Sequence, residues 1–329
     1  GRWPSCSGSS RRAAGSRRGP EAMRVAELGD AGIRARLAGP GLALDFGFVR
    51  ARVRSDVRGL EAALGRVYAE FPVEEADGFF DVTAGLVRAR GLRRFVRPQV
   101  DFFVDGELPF EPFPADTHLP LLEWGLNWCI AQRAHTHLLL HAGVVERRGV
   151  AVVLPALPGS GKSTLVAALC ARGYRLLSDE FGVVRLDDAM LLPLLKPVAL
   201  KDASIDVIRK FAPGSALGPV FPKTRKGDVA HLAPPAASTA RRHEPAAPAL
   251  VLFPQFGAGE PLALEPMAKS RAFAKVSANS FNYGPLGRRA FDALGRLVAG
   301  CDVYRLTYGD LDAAIGAIDG LVGGRAQRQ

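Results

Sequence analysis

Two groups of residues in the middle of this chain have the types and spacing that handle phosphate. The first is Ala156-Leu-Pro-Gly-Ser-Gly-Lys-Ser-Thr164, which follows the apolar run Val150 to Leu154 and opens a helical pattern over Thr164 to Arg172. Strand, loop and helix in that order are what a phosphate-binding P-loop requires. Gly159 and Gly161 let the backbone turn its N–H groups inward without a Cβ clash. The helix N-terminus adds partial positive charge where phosphates would sit. Lys162, expected to face solvent, can bridge the β- and γ-phosphates, and the Ser163 hydroxyl can ligate Mg²⁺. Pro158, Ser160 and Thr164 complete the expected phosphate-binding set. Ala156 stands where the pattern G-x-x-x-x-G-K-[ST] begins with Gly. These residues together predict binding of a nucleoside triphosphate.

The second group is Ser178-Asp179-Glu180, at the end of the short apolar run Arg175-Leu-Leu177. In phosphoryl-transfer sites, paired acids one element after a P-loop supply a Mg²⁺ ligand and a group that orients the attacking hydroxyl or water. On this reading Asp179 serves the Mg²⁺ shell and Glu180, with the longer side chain, takes the acceptor proton. His135, His137 and His141 stand at alternate positions and suggest a metal trio. No Cys or carboxylate completes a zinc spacing with them, so no zinc site is expected.

Both groups need a frame. His137 to Val145 reads as a strand and Glu146 to Gly149 as a turn, from which the P-loop strand continues as an antiparallel partner. Gly173 is placed to cap the P-loop helix at C′. Phe181–Leu186, a turn at Asp187-Asp188 and Met190–Leu195 read as a hairpin, where a doubly wound fold would place a crossover helix. The class expected is therefore α/β with a mixed central sheet.

Downstream come a short helix (Ser204–Phe211), a long Pro/Ala/Gly-rich loop over 212–248, and a strand (Ala249–Phe253). Helices at 266–278 and 286–299, a strand (Val303–Tyr308) and a helix (Leu311–Leu321) complete the pattern. Upstream, Leu42–Val53, Phe79–Val87 and Val100–Val104 read as strands, with a hairpin turn at Asp105-Gly106. Gly59–Tyr68 and Leu119–Arg133 read as helices, and Trp124 and Trp128 at i, i+4 are read as core packing. The expected organisation is an extension (1–22), a strand-rich α/β region (23–115), a P-loop domain (116–322) and a disordered tail (323–329).

Composition narrows the classes. The chain has 329 residues and a formal charge of +10, of which +4 falls in residues 1–22 with five Arg against one acid. That segment has no apolar stretch of the kind a secretory signal carries. It is expected to be disordered, or to precede a true start at Met23. No run approaches the ~20 apolar residues of a membrane span, and no basic stripe with interleaved aromatics suggests a nucleic-acid surface. Four widely spaced cysteines form no C-x-x-C pair, which fits a reducing, cytoplasmic location.

Residues 137–187 resemble the catalytic core of HPr kinase/phosphorylase. The corresponding run is His141-Ala142, Gly159-Ser-Gly-Lys-Ser163, Arg172-Gly-Tyr-Arg-Leu176 and Asp179-Glu180. After Met23 almost the whole chain is similar to the HPr-kinase-related kinase A family, typically encoded near exosortase/PEP-CTERM loci. Glu123-Trp-Gly-Leu-Asn-Trp128, Pro158-Gly-Ser-Gly-Lys-Ser-Thr164, Leu176-Leu-Ser-Asp-Glu180, Lys226-Gly-Asp-Val-Ala-His231 and Phe281-Asn-Tyr283 carry that match.

The resemblance implies the P-loop fold variant shared with phosphoenolpyruvate carboxykinase. It implies ATP and Mg²⁺ as cofactors and phosphoryl transfer to a hydroxyl, seryl for preference, on a protein or small molecule. It also implies a homo-oligomer, since HPr kinases assemble as hexamers. His141 would support the catalytic acid by a charge-assisted hydrogen bond, and Glu180 takes the general-base position. HPr kinases carry Asp there, so Asp179 could share the role. Their basic Pro-Gly-Arg segment and second Glu metal ligand have no counterpart here, which argues against HPr as the acceptor. Lys196, Lys201 and Lys226 are the candidates for the missing positive charge. A nucleotide-sensing regulator and a simple ATPase are the alternatives.

Overall fold

The computed structural model describes residues 23–75, 77–94, 96–157 and 159–328. The expectations for residues 1–22 and for Pro158 lie outside the described residues.

Five strands, β1 (Leu42–Asp45), β2 (Arg50–Ser55), β3 (Val82–Arg88), β4 (Gln99–Val104) and β5 (Phe113–Pro114), make the first sheet in that order. The β2–β3 pair is parallel and the other pairs are antiparallel. Helices α1 (Gly29–Ala38) and α3 (His118–Arg133) pack against this sheet, and α2 (Leu60–Val67) packs on both helices. Val100, Phe102 and Val104 alternate inward along β4, which is the period a half-buried strand imposes. The run Leu42–Val53, expected as one strand, is an antiparallel pair, with the Phe46 N–H donating to Val49 O across the turn. Because α3 packs on β3, β4 and β5, this unit runs past the expected boundary at 115 and ends with α3.

The chain then lays down β6 (His137–Arg147), β7 (Val150–Pro155), helix α4 (Lys162–Ala171), β8 (Arg175–Ser178), β9 (Phe181–Arg185) and β10 (Leu191–Leu192). A three-stranded sheet follows, with β11 (Val198–Lys201), helix α5 (Ala203–Phe211), β12 (Phe221–Thr224) and β13 (Gly227–Leu232) ordered β11-β13-β12. Helix α6 (Ala236–Ala240) leads into β14 (Pro248–Phe256) and β15 (Ala263–Pro266). The last elements are α7 (Lys269–Ala278), α8 (Tyr283–Leu286), α9 (Arg288–Gly300), β16 (Asp302–Tyr308) and α10 (Leu311–Ala326).

The central sheet has the order β10-β9-β6-β7-β14-β16-β15, with β8 also paired to β6. β7, β14 and β16 are parallel, whereas β6 is antiparallel to β7, β8 and β9. The class is α/β with mixed sheets. Side chains alternate across it. Leu138, Leu140, Ala142 and Val144 join the core beneath α7 and α9, while Leu139, Val145, Val152 and Leu154 join the core shared with α4 and the N-terminal sheet. Each such fully buried Leu or Val contributes ~1.5–3 kcal/mol, so the frame around the site is rigid.

Three expectations need correction. Residues 212–248 are no bare loop but carry β12, β13 and α6. Residues 263–266, whose end was expected to begin a helix, form an edge strand against β16. Residues 323–326, expected to begin a disordered tail, are instead the last turn of α10, a helix that buries Ile315, Ile318 and Val322.

No helix among the described residues is long and apolar enough to cross a membrane.

Candidate functional site

The register around β6 decides where the site lies. On one side, Ala142 and Gly143 pair with Pro155 and Leu154 at the end of β7. On the other, β8 and β9 follow one another along β6, with Val144 opposite Ser178 and His141 opposite Phe181. Asp179 and Glu180 are the break between those strands. The glycine-rich loop before α4 and the acid pair therefore flank the same two residues of β6. Gly143 is what lets them meet. A Cβ there would stand 2.5 Å from Val166 Cγ2, 3.6 Å from Lys162 Cγ and 3.8 Å from Asp179 Oδ1, so any larger residue would lift α4 off the strand.

The loop is anchored from behind. Gly161 has φ +83°, and a Cβ on it would lie 2.8 Å from both Phe256 Cβ and the Tyr308 hydroxyl oxygen. Phe256 N–H donates to Ser160 O at 3.1 Å, and Tyr308 OH donates to Gly161 O at 3.3 Å. No side chain caps α4, leaving its first-turn N–H groups for a ligand. Ser163 and Thr164 sit half-buried in that turn. The Ser160 hydroxyl oxygen is buried and has no hydrogen-bond partner among the described residues, and an orphaned polar group of this kind marks a place for a polar ligand. Beside it opens a cavity of about 380 Å³ lined by Leu157, Phe253, Met267, Arg271 and Lys275, among others.

Lys162 does not face solvent. Its side chain is 8% exposed; Nζ donates to the Asp179 carbonyl and lies 3.0 Å from Asp179 Oδ1, itself on a side chain only 5% exposed. Glu180 is different, with a side chain 43% exposed. Burial pushes its carboxyl up, but the charges of Lys162, His141, Lys226 and Lys201 together outweigh burial and hold it below the ordinary value. It is therefore ionised at neutral pH. His141 Nε2 stands 3.9 Å from Glu180 Oε1, too far for the expected hydrogen bond.

Asn279 is a residue that the sequence reading did not single out. Its side chain donates to His141 O and Ala156 O, both at 3.2 Å, and its backbone carbonyl accepts the His141 N–H at 3.0 Å. One amide thus ties the histidine strand to the start of the P-loop. Phe281 packs on His141 and Phe181 at ring separations of 5.5 and 4.6 Å. Asn282 accepts the Leu139 N–H and donates to Ala134 O and His137 O. A polar Asn-x-x-Asn segment directly after a helix was the available signal.

Lys196, a candidate for site charge, is engaged elsewhere. Its Nζ lies 3.1 Å from Glu123 Oε2 and donates to Glu123 O and Asn127 Oδ1. His135 and His137 do not join His141. The His137 ring instead meets Thr136 Oγ1 and Phe48.

The donor set fits Mg²⁺ with a triphosphate. Hard cations take oxygen ligands, and Mg²⁺ needs only one or two carboxylates when phosphates and water supply the rest. Ser163 and Asp179 would offer them, with Asp179 exchanging Lys162 for the metal. Among the described residues no group of three or more His, Cys, Asp or Glu is placed to hold a metal alone. No protein-family model matches the chain, and no curated protein matches it.

Proposed function

We propose that this chain transfers the γ-phosphoryl group of ATP to a hydroxyl acceptor, with a P-loop domain of the HPr kinase/phosphoenolpyruvate carboxykinase type. The observation that carries the reading is the β6 register, with the P-loop and the Asp179-Glu180 pair flanking Ala142-Gly143. Lys162 leaves Asp179 and meets the β- and γ-phosphates, whose negative charge replaces the carboxylate as its partner. Mg²⁺, when bound, neutralises phosphate charge, with Ser163 and Asp179 to hold it. Glu180 accepts the acceptor proton as the new O–P bond forms and the bond to the β-phosphate oxygen breaks, releasing ADP. Phosphoryl transfer asks mainly for such alignment and charge, and little covalent chemistry from the protein. The phosphates rest on the loop from Gly159 to Thr164, and the adjoining cavity has room for the nucleoside.

The buried Lys162–Asp179 pair favours one other reading, a regulator that binds ATP to open that pair and transfers nothing. A single-turnover reaction with γ-labelled ATP and a cell lysate separates them. Labelled acceptor supports the kinase, free phosphate an ATPase, and bound intact ATP the regulator.

A further inference from the structure

The three-stranded sheet packs against α4 and presents two exposed lysines, Lys201 and Lys226. β11 packs on α4 and delivers Lys201 at its end, with Lys201 opposite Val229 of β13. The β12–β13 turn, which carries Lys226, closes onto the next residue. An ideal Cβ on Gly227 would stand 2.3 Å from Asp202 Oδ1, so only glycine permits that approach. Asp202 itself holds φ 47° and ψ −127°, a backbone state that costs a non-glycine residue on the order of 1–3 kcal/mol.

Both acids nearby are engaged with the backbone. Asp202 Oδ1 accepts the Asp228 N–H at 3.0 Å, and Asp228 Oδ1 accepts the Lys223 N–H at 2.9 Å. Lys201 and Lys226 are exposed, and among the described residues neither has a carboxylate partner. α5 packs along α4 with Phe211 at its end under Arg172, just past the end of α4, so Lys201, two residues before α5, lies toward the Lys162 end of α4. An anionic acceptor approaching Asp179, Glu180 and a triphosphate would be repelled unless cations stood beside its path.

We infer that Lys201 and Lys226 bind the acceptor through a carboxylate or phosphate group carried next to the reacting hydroxyl. This rests on the phosphoryl-transfer reading for its context but not for its test. Such an acceptor is either a small hydroxylated acid or phosphate ester, or a seryl residue flanked by acidic side chains.

The test occupies the nucleotide side with Mg²⁺ and a non-hydrolysable ATP analogue, then titrates inorganic phosphate into the full chain. Saturable phosphate binding is expected, weakened ~10-fold or more by Lys201→Ala/Lys226→Ala and regained in Lys201→Arg/Lys226→Arg, while analogue affinity stays within ~2-fold. Displacement of the phosphate by glycerol 3-phosphate, or by an Asp-flanked seryl peptide, tells which source the site takes. Equal phosphate binding by wild type and the Ala variant, or none by either, overturns the inference. So does a fall in analogue affinity that parallels that for phosphate, because the lysines then belong to the nucleotide. If the analogue fails to bind while phosphate binding still depends on the lysines, the anion site stands and the phosphoryl-transfer reading falls.

Discussion

Lys162 and Lys196 are both buried lysines facing a buried carboxylate, at 3.0 Å from Asp179 and 3.1 Å from Glu123. Their surroundings separate them. Around Lys196, Glu123 Oε1 accepts from Tyr68 OH at 2.6 Å and Asn127 Oδ1 accepts from Lys196, so α2, α3 and the segment before β11 are pinned together. Around Lys162 stand a glycine loop, an uncapped helix and the exposed Glu180. A buried ion pair by itself says little about function, because structural pairs and reactive ones look alike at the level of distance. Room for a competing ligand distinguishes them.

The largest expected effect lies at Glu180. Glu180→Gln keeps the shape and removes the proposed base, so label transfer should fall ~10²–10⁴-fold while nucleotide affinity persists; unchanged transfer would move the role to Asp179. Breaking the other pair should act on stability alone. Lys196→Met leaves Glu123 buried and uncompensated, a loss of ~3–5 kcal/mol measurable by urea unfolding, with any surviving folded fraction still binding ATP.

Replacing both partners sharpens the contrast. Buried pairs exchanged for apolar residues are often neutral or even stabilised by ~1–4 kcal/mol. Lys162→Met/Asp179→Leu should therefore melt near wild type and transfer nothing. Lys196→Met/Glu123→Leu should stay destabilised by ~1–3 kcal/mol, because the Tyr68 hydroxyl and the Asn127 amide lose their partners. Equal behaviour of the two double variants would erase the distinction.

Much of the site could be read from sequence, because it is written in local punctuation. Glycines around Lys162, alternation through His137–Val145 and the turn at Glu146–Gly149 fix the loop and the antiparallel β6–β7 pair. Tertiary approach was not readable. Nothing near Lys162 in the chain says that Gly143 opens a path to Asp179, so the lysine looked solvent-facing. β12 was hidden by Pro222, which an edge strand tolerates, and by burying only Phe221 of its four residues. β15 is likewise half-exposed and lacks an apolar alternation. α10 runs through Gly320, Gly323 and Gly324 against their helix propensity, because burial of Ile318 and Val322 outweighs it.

A pH titration probes how closed the Lys196 network is. His231, on β13, is 2% exposed, and its Nδ1 has no partner among the described residues. Burial, its largest influence, pushes the imidazole down from 6.5 to about 4, with Glu123 opposing and Lys196 assisting. The unfolded chain takes up a proton near 6.5 and the folded one only near 4, so in that window the unfolded state binds more protons. Stability is therefore full above the unfolded value and falls as pH is lowered through the window, by about 3 kcal/mol from this residue. His231→Gln removes the titration and should flatten that part of the stability-against-pH curve, measured by urea unfolding at pH 7 and pH 4.5. An unchanged slope would mean that the imidazole is protonated in place. Water would then reach the Lys196–Glu123 pair, and the contrast with Lys162 would be one of degree.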